Sequence, residues 1–334
     1  MALAADDLAR HPALHAAIRQ QSRLLLQAFE GNPRLSSVFG TQHRWLMGQT
    51  ALALYFRGIA SGGGFKTARF LDLISRHGVA SRNTADSFLK EMVKYGYARV
   101  LPDATDRRAR PLEATEASVA AIHGWLGIHL ATLDRLAPEQ RLQTYLAEPG
   151  ALAMMQPLIA DGLLSSAEVR EPERTFSLFT WLNNGGQVMD MLIGGIEEDD
   201  PDAERVPTRV ESTADIARYL KLSRTHLSRK LRDAEALGSI GWFGRRGHSV
   251  MWVSAAFRRE YALAQAAKLA IIDAAFDACF RRRQAETSAL AAPSGDSALD
   301  PGGRFDGIEA GSHLRGHGRG ERSRDHVDQV LDRA

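Results

Sequence analysis

The 334-residue chain has a single cysteine, Cys279, which excludes an internal disulfide framework and any cysteine-based zinc cluster. Long apolar runs are also missing. The best candidate for a membrane span, residues 117–132, is interrupted by His123, Gly124, Gly127 and His129, so no span is expected. The opening Met1-Ala-Leu-Ala-Ala-Asp-Asp puts acids where an export signal needs a basic and then an apolar segment, and predicts a cytoplasmic protein. Metal-ligand spacing is absent: His123 and His129 are six residues apart and do not share a helix face, which reads as solvated or core histidine. Gly62-Gly63-Gly64-Phe65-Lys66-Thr67 has Phe65 where a phosphate loop needs glycine before the lysine, so it reads as a linker into a helix. Glu197-Glu198-Asp199-Asp200 reads as a solvated linker rather than a cation site. No Ser/His/Asp or Cys/His grouping can be argued, so neither catalytic residues nor a cofactor or metal are expected.

Charge is plentiful but unevenly placed. Overall, 42 Lys+Arg nearly balance 40 Asp+Glu. Residues 61–115 carry ten basic and six acidic side chains, and residues 208–260 carry eleven and five. Between them, residues 139–207 hold four basic and thirteen acidic ones. Two basic blocks flanking an acidic one point to a polyanionic partner, with a solvated basic face as the plainer alternative.

Hydrophobic periodicity predicts a mainly α-helical chain. Helices are expected at 14–29, 45–57, 116–136, 152–164, 176–196 (with a turn at Asn183-Asn184-Gly185-Gly186) and 255–283. A cluster of short helices is expected over 66–95, and more over 213–237. Residues 99–112 and 238–254 alternate like small hairpins, and 197–207 reads as a linker. Trp181, Met189, Met191 and Leu192 form an apolar stripe, read as helical core or dimer seam before ligand cavity. Residues 284–334, with Phe305 as their one aromatic and eight glycines, have too little to bury and are expected to be disordered. The expected organisation is 1–138, N-terminal helices with a first small domain; 139–207, an acidic helical connector and linker; 208–283, a second small domain with a C-terminal helix; then the tail.

The most informative pattern is an internal match at an offset of 142 residues. Ile74, Ser81-Arg82, Leu89 and Gly96 align with Ile216, Ser223-Arg224, Leu231 and Gly238 without a gap. This is the pattern of a helix-turn-helix. A small residue, Ser75 or Ala217, is expected where the first helix meets its neighbour. Serine caps the second helix, and glycine stops it before a strand. Leu227, Leu231 and Ala234 would seat that second helix on the core, leaving Arg224, Thr225, Ser228, Arg229 and Arg232 pointing outwards.

The segment after Gly96 resembles the wing of the MarR family of bacterial regulators. Asp103, Asp106, Arg108 and the closing Thr115-Glu116 fall at that family's spacing, over about residues 65–135. Ala114 stands where a leucine is usual, and Pro111 interrupts the returning strand. The resemblance implies a winged helix in which Asp106 and Arg108 set the wing's geometry and carry the arginine to a minor groove. The second unit resembles a generic winged helix with a shorter wing around Phe243-Gly-Arg-Arg-Gly-His-Ser.

The expected fold is therefore mainly α, with two winged helix-turn-helix domains bearing small β-hairpin wings. The expected function is a bacterial, nucleoid-associated transcription regulator binding double-stranded DNA, as a homodimer or an internal pseudo-dimer, with an effector of unspecified chemistry. A plasmid-type replication or partition protein and a winged-helix interaction scaffold are the alternatives. Candidate DNA contacts are Arg82, Asn83, Thr84, Ser87, Lys90, Lys94, Arg107, Arg108 and Arg110 in the first unit. In the second they are Arg224, Thr225, Ser228, Arg229, Arg232, Arg245 and Arg246. The second set is the denser in arginine, while Asp86 and Glu91 would repel phosphates from the first.

Overall fold

The computed structural model describes residues 2–59, 63–101, 111–172, 174–197, 200 and 203–281. Most of these are helical, and the strands form two small sheets. No described helix is long and apolar enough to cross a membrane.

Four N-terminal helices, α1 (Ala5–Arg10), α2 (Leu14–Gly31), α3 (Pro33–Val38) and α4 (Gln42–Ile59), lead into the first unit. That unit comprises α5 (Thr67–Arg76), α6 (Arg82–Lys94), β1 (Ala98–Val100), β2 (Leu112–Ala114) and the long α7 (Glu116–Leu136). Helices α8 (Arg141–Ala147), α9 (Ala151–Ser165), α10 (Ala167–Arg170), α11 (Arg174–Thr180) and α12 (Gly185–Gly194) come next. The second unit comprises β3 (Arg205–Pro207), α13 (Thr213–Tyr219), α14 (Arg224–Ala236), β4 (Ile240–Trp242), β5 (Met251–Ser254) and the long α15 (Ala255–Phe276), which runs on into a π-helical turn, Asp277–Arg281.

The two units share one topology. In the second, β5 lies between β3 and β4, antiparallel to both. In the first, β2 pairs antiparallel with β1 on one side and with a single bridge at Phe65 on the other. A strand or bridge is thus succeeded by two helices and a hairpin, whose returning strand takes the middle of the sheet and then leads into a helix of 21 or 22 residues.

The second helix of each unit starts and stops by the same chemistry. The Ser81 hydroxyl accepts the Thr84 N–H, and the Ser223 hydroxyl accepts the His226 N–H, each satisfying a first-turn donor. At the other end, Gly96 and Gly238 stand at φ 77° and 68°, where a Cβ is unfavourable. The next residue's N–H, from Tyr97 or Ser239, reaches back to the Met92 or Ala234 carbonyl. Ala85, Leu89 and Met92 bury one face of α6, as Leu227, Leu231 and Ala234 bury the matching face of α14.

The turn before these helices departs from the ungapped repeat. Between the cap of the first helix and the N-cap serine lie residues 78–80 in the first unit but only 221–222 in the second. Val79 N–H bonds the Ile74 carbonyl, and Leu222 N–H bonds that of Ala217. Ile74 is therefore the structural counterpart of Ala217, not of Ile216. Ser75 accordingly faces solvent, while Ala217 is buried as expected.

The linker reading of 197–207 also needs correction at its end, because Arg205–Pro207 forms β3. Val206 is buried and pairs with Val253, and Pro207 is tolerated because β3 is an edge strand. The expected disorder of 284–334 falls on residues outside those described.

The N-terminal helices pack against both units. Tyr219 of α13 donates to Glu30 of α2 at 2.8 Å, and Arg44 of α4 reaches Glu91 of α6 at 2.7 Å. Asn184 donates to both the Ser37 hydroxyl and the Leu220 carbonyl. Arg141, fully buried, joins the two long helices: its Nε donates to Asp273 of α15 at 2.7 Å and its Nη1 to Asp134 of α7 at 3.2 Å. Such a buried cation must be fully paired to be tolerated. Burial opposes charge on Asp273, but hydrogen bonds from Arg281, the Leu3 N–H and Arg141 outweigh it and hold the carboxyl below its ordinary range.

Candidate nucleic-acid interface

In each unit, the helix after the turn offers solvent the face opposite its apolar stripe. On α14 this face carries Arg224, Thr225, Arg229 and Arg232, all exposed, with Ser228 half-buried beside them. Arg224, Arg229 and Arg232 form no ion pair with any described residue. Three guanidiniums standing free on one exposed helix suit phosphate oxygens and base edges, because each presents a planar fork of donors.

The hairpin beside this helix is tied to it. Glu235 of α14 accepts from Arg246 through both oxygens, at 3.0 and 2.8 Å, and from the Trp242 indole at 2.9 Å. Arg246 also reaches the Ser228 carbonyl. The hairpin closes through the Ser249 hydroxyl, which accepts the Gly244 N–H and donates to the Arg245 carbonyl. Of the two arginines expected to act alike, Arg246 is thus engaged in fixing the hairpin, and exposed Arg245 makes no ion pair with a described residue.

The first unit has the same frame with a different charge pattern. Arg82, Asn83, Thr84, Ser87, Lys90 and Lys94 are exposed on α6. Arg82 pairs with Asp72 at 3.0 Å and Lys90 with Asp86 at 2.6 Å. Lys94 forms no ion pair with a described residue. Glu91, expected to repel phosphates, turns to Arg44 of α4 instead. Across the hairpin, Arg99 of β1 pairs with Glu113 of β2. Arg107, Arg108 and Arg110 lie outside the described residues, as do Asp103 and Asp106.

The structure also contains a feature that sequence reasoning did not find. A cavity of about 830 Å³ opens between α2, α4, α6, α7, α12 and α15. Met189 of the expected apolar stripe lines it, while Trp181 stands exposed over the His43 ring, 4.0 Å between centroids. His129 is buried, and burial drives its imidazole well below the usual range, with Lys268 nearby adding to the effect. His129 therefore behaves as a neutral core side chain.

No family model, curated protein or solved structure matches the chain.

Proposed function

We propose that the chain is a DNA-binding transcription regulator of bacterial type that presents two winged helices to double-stranded DNA. One observation carries this reading. The same arrangement of strand or bridge, two helices, hairpin and long helix occurs twice, and its exposed second helix carries in one copy three arginines with no ion pair to a described residue. Helix α14 would enter the major groove with Arg224, Thr225, Ser228, Arg229 and Arg232, while Arg245 reaches backbone or minor groove from the wing. Arg246 would hold that wing in place. Helix α6 would take a second groove with Arg82, Asn83, Thr84, Ser87, Lys90 and Lys94.

The ties from α2, α4 and Arg141 to both units favour a rigid pair over two beads on a linker. Recognition helices in a rigid pair reach successive major grooves on one side of the duplex, about 34 Å apart. One chain would then protect two half-sites about ten base pairs apart, and a homodimer about twice that length. The partly neutralised α6 face, with Arg82 and Lys90 paired, favours a second reading for the first unit alone, as a docking module for another protein.

Binding to genomic fragments, titrated with salt and completed by sequencing of what is retained, tests the proposal. Affinity should fall steeply with salt, and footprints should mark promoter operators. Protection of repeated origin sites would move the assignment to replication or partition. Absence of salt-sensitive DNA binding would overturn it in favour of an interaction scaffold.

A further inference from the structure

The 830 Å³ cavity lies within the size range of pockets that hold drug-sized ligands. Its walls are mostly apolar and aromatic, including Trp45, Phe88, Met92 and Trp125. At one end stands Lys268, from the middle of α15. Its side chain is half-buried and faces the cavity. It sits 6.0 Å from the centroid of Trp125 and makes no hydrogen bond or ion pair with any described residue.

Asp190 and His129 act on it directly, and Tyr261 only through Asp190. Asp190 of α12 is the charge that favours the ammonium, but that carboxylate is occupied by other donors. Oδ1 accepts the Tyr261 hydroxyl at 2.5 Å, and Ser22 bonds into the same cluster, 3.0 Å from Tyr261. Tyr261 of α15 is held in its neutral form by burial and by Asp190, and His129 of α7 by burial. Burial lowers Lys268 itself to about 8 despite the pull of Asp190. An ammonium offers three N–H donors, and here they face a mostly apolar cavity in which an occupant could supply the acceptor.

We propose that this cavity is a binding site for an amphipathic monocarboxylate, whose carboxylate takes the Lys268 ammonium while its apolar body lies against Trp45, Phe88, Met92 and Trp125. One negative charge suits the site better than two, because Asp190 already contributes a negative field beside the lysine. The cavity touches the buried face of α6 in the first unit and α15 in the second, so an occupant would bear on both. The assignment does not depend on DNA binding.

Decanoate, decanol and decyltrimethylammonium serve as probes on the full chain without DNA. Calorimetry and tryptophan fluorescence provide the readouts, since Trp45 and Trp125 line the cavity. Decanoate should bind saturably, decanol at least tenfold more weakly, and the cation more weakly still. Lys268→Met, which keeps length and volume, should weaken decanoate at least tenfold and leave decanol unchanged. Lys268→Arg should restore most of the loss. Absence of decanoate binding, equal binding of decanol, or an unchanged decanoate affinity in Lys268→Met would overturn the assignment. Should Lys268→Met fail to fold, the contrast between decanoate and decanol on the unmodified chain still decides. A negative result leaves the DNA-binding proposal standing, and a failed DNA assay leaves this one standing.

Discussion

The two units share a backbone plan but distribute their charges differently. On α6, Arg82 and Lys90 are neutralised by Asp72 and Asp86, and Glu91 is drawn inwards to Arg44. On α14, Arg224, Arg229 and Arg232 stand unpaired among the described residues, and Glu235, one of two acids on that helix, is consumed in anchoring the hairpin. Equal backbone frames with unequal free charge imply unequal work. Exposed ion pairs contribute little stability, so the pairs on α6 matter mainly as charge removed from that surface.

The comparison has meaning only if the units act as one body, and the largest expected effect tests this. Arg141→Met should cost about 3–5 kcal/mol in global unfolding, because it leaves buried Asp273 and the Asp134 carboxylate short of their shared cation. The two units should still unfold in one transition in the unmodified chain. Two separate calorimetric transitions there would show independent domains and break the comparison. The pH dependence carries a sign. Asp273 is depressed in the folded chain, so its contribution is present above the ordinary carboxylate range and is lost as pH falls through the lowered folded value. Asp273→Asn should flatten this part of the acid limb of the stability profile.

Next in size is the contrast in DNA affinity. Replacing Arg224, Arg229 and Arg232 together by alanine should reduce affinity by two orders of magnitude or more, at about 1 kcal/mol per contact. It should also lower the slope of log affinity against log salt by about three. The matching set in the first unit, Arg82, Lys90 and Lys94 to alanine, should cost less than tenfold. Within the β4–β5 hairpin, Arg245→Ala should reduce the salt slope without loss of stability, whereas Arg246→Ala should loosen the hairpin held to Glu235. Equal losses from the α6 and α14 sets would remove the functional asymmetry and leave only the structural likeness.

Much of this architecture was legible in local signals. The N-cap serines, the stop glycines and the apolar spacing on α14 are short-range rules, and the structure places α6 and α14 at the same 142-residue offset. The long α7 begins and ends where its periodicity does. Other parts had no local signature. Strand β3 is three residues long, contains Pro207 and comes after an acidic run, and it exists because β5 offers it an edge. The cavity is made by helices far apart in sequence, and Lys268 in an alanine-rich helix reads as an ordinary surface lysine. Two of the ion pairs on α6 likewise depend on tertiary placement, since Asp72 lies ten residues from Arg82 and Arg44 lies 47 from Glu91, whereas Lys90–Asp86 is a local i,i+4 pair.

The two stop glycines come next. Gly96→Ala and Gly238→Ala should each destabilise the chain by about 1 kcal/mol, since a Cβ at their positive φ is strained whatever the space around it. Nothing lies within 4 Å of a Cβ built at either position, so steric repair should not distinguish them. Matching losses in thermal or denaturant unfolding would affirm that the caps are equivalent, and a clear inequality would divide them.

The smallest expected effect lies in the turn, where the two copies solve the same problem with different residues. Gly78 takes φ 64° without penalty, whereas Lys221 takes φ 54° with a side chain. The left-handed region costs a non-glycine residue roughly 1 kcal/mol, part of which the greater freedom of glycine in the unfolded chain would offset. Lys221→Gly should therefore stabilise the chain by a few tenths to about 1 kcal/mol, and Gly78→Lys should destabilise it by a similar amount. Lys221 is exposed and forms no ion pair with a described residue, so loss of its charge should not mask the backbone term. A destabilising Lys221→Gly would mean that the lysine side chain contributes more to the two-residue turn than its backbone costs. If Lys221→Gly weakened DNA affinity instead while raising stability, the strained lysine would belong to the interface. The second unit would then have accepted a local cost, avoided in the first by Gly78, to place one more cation beside α14.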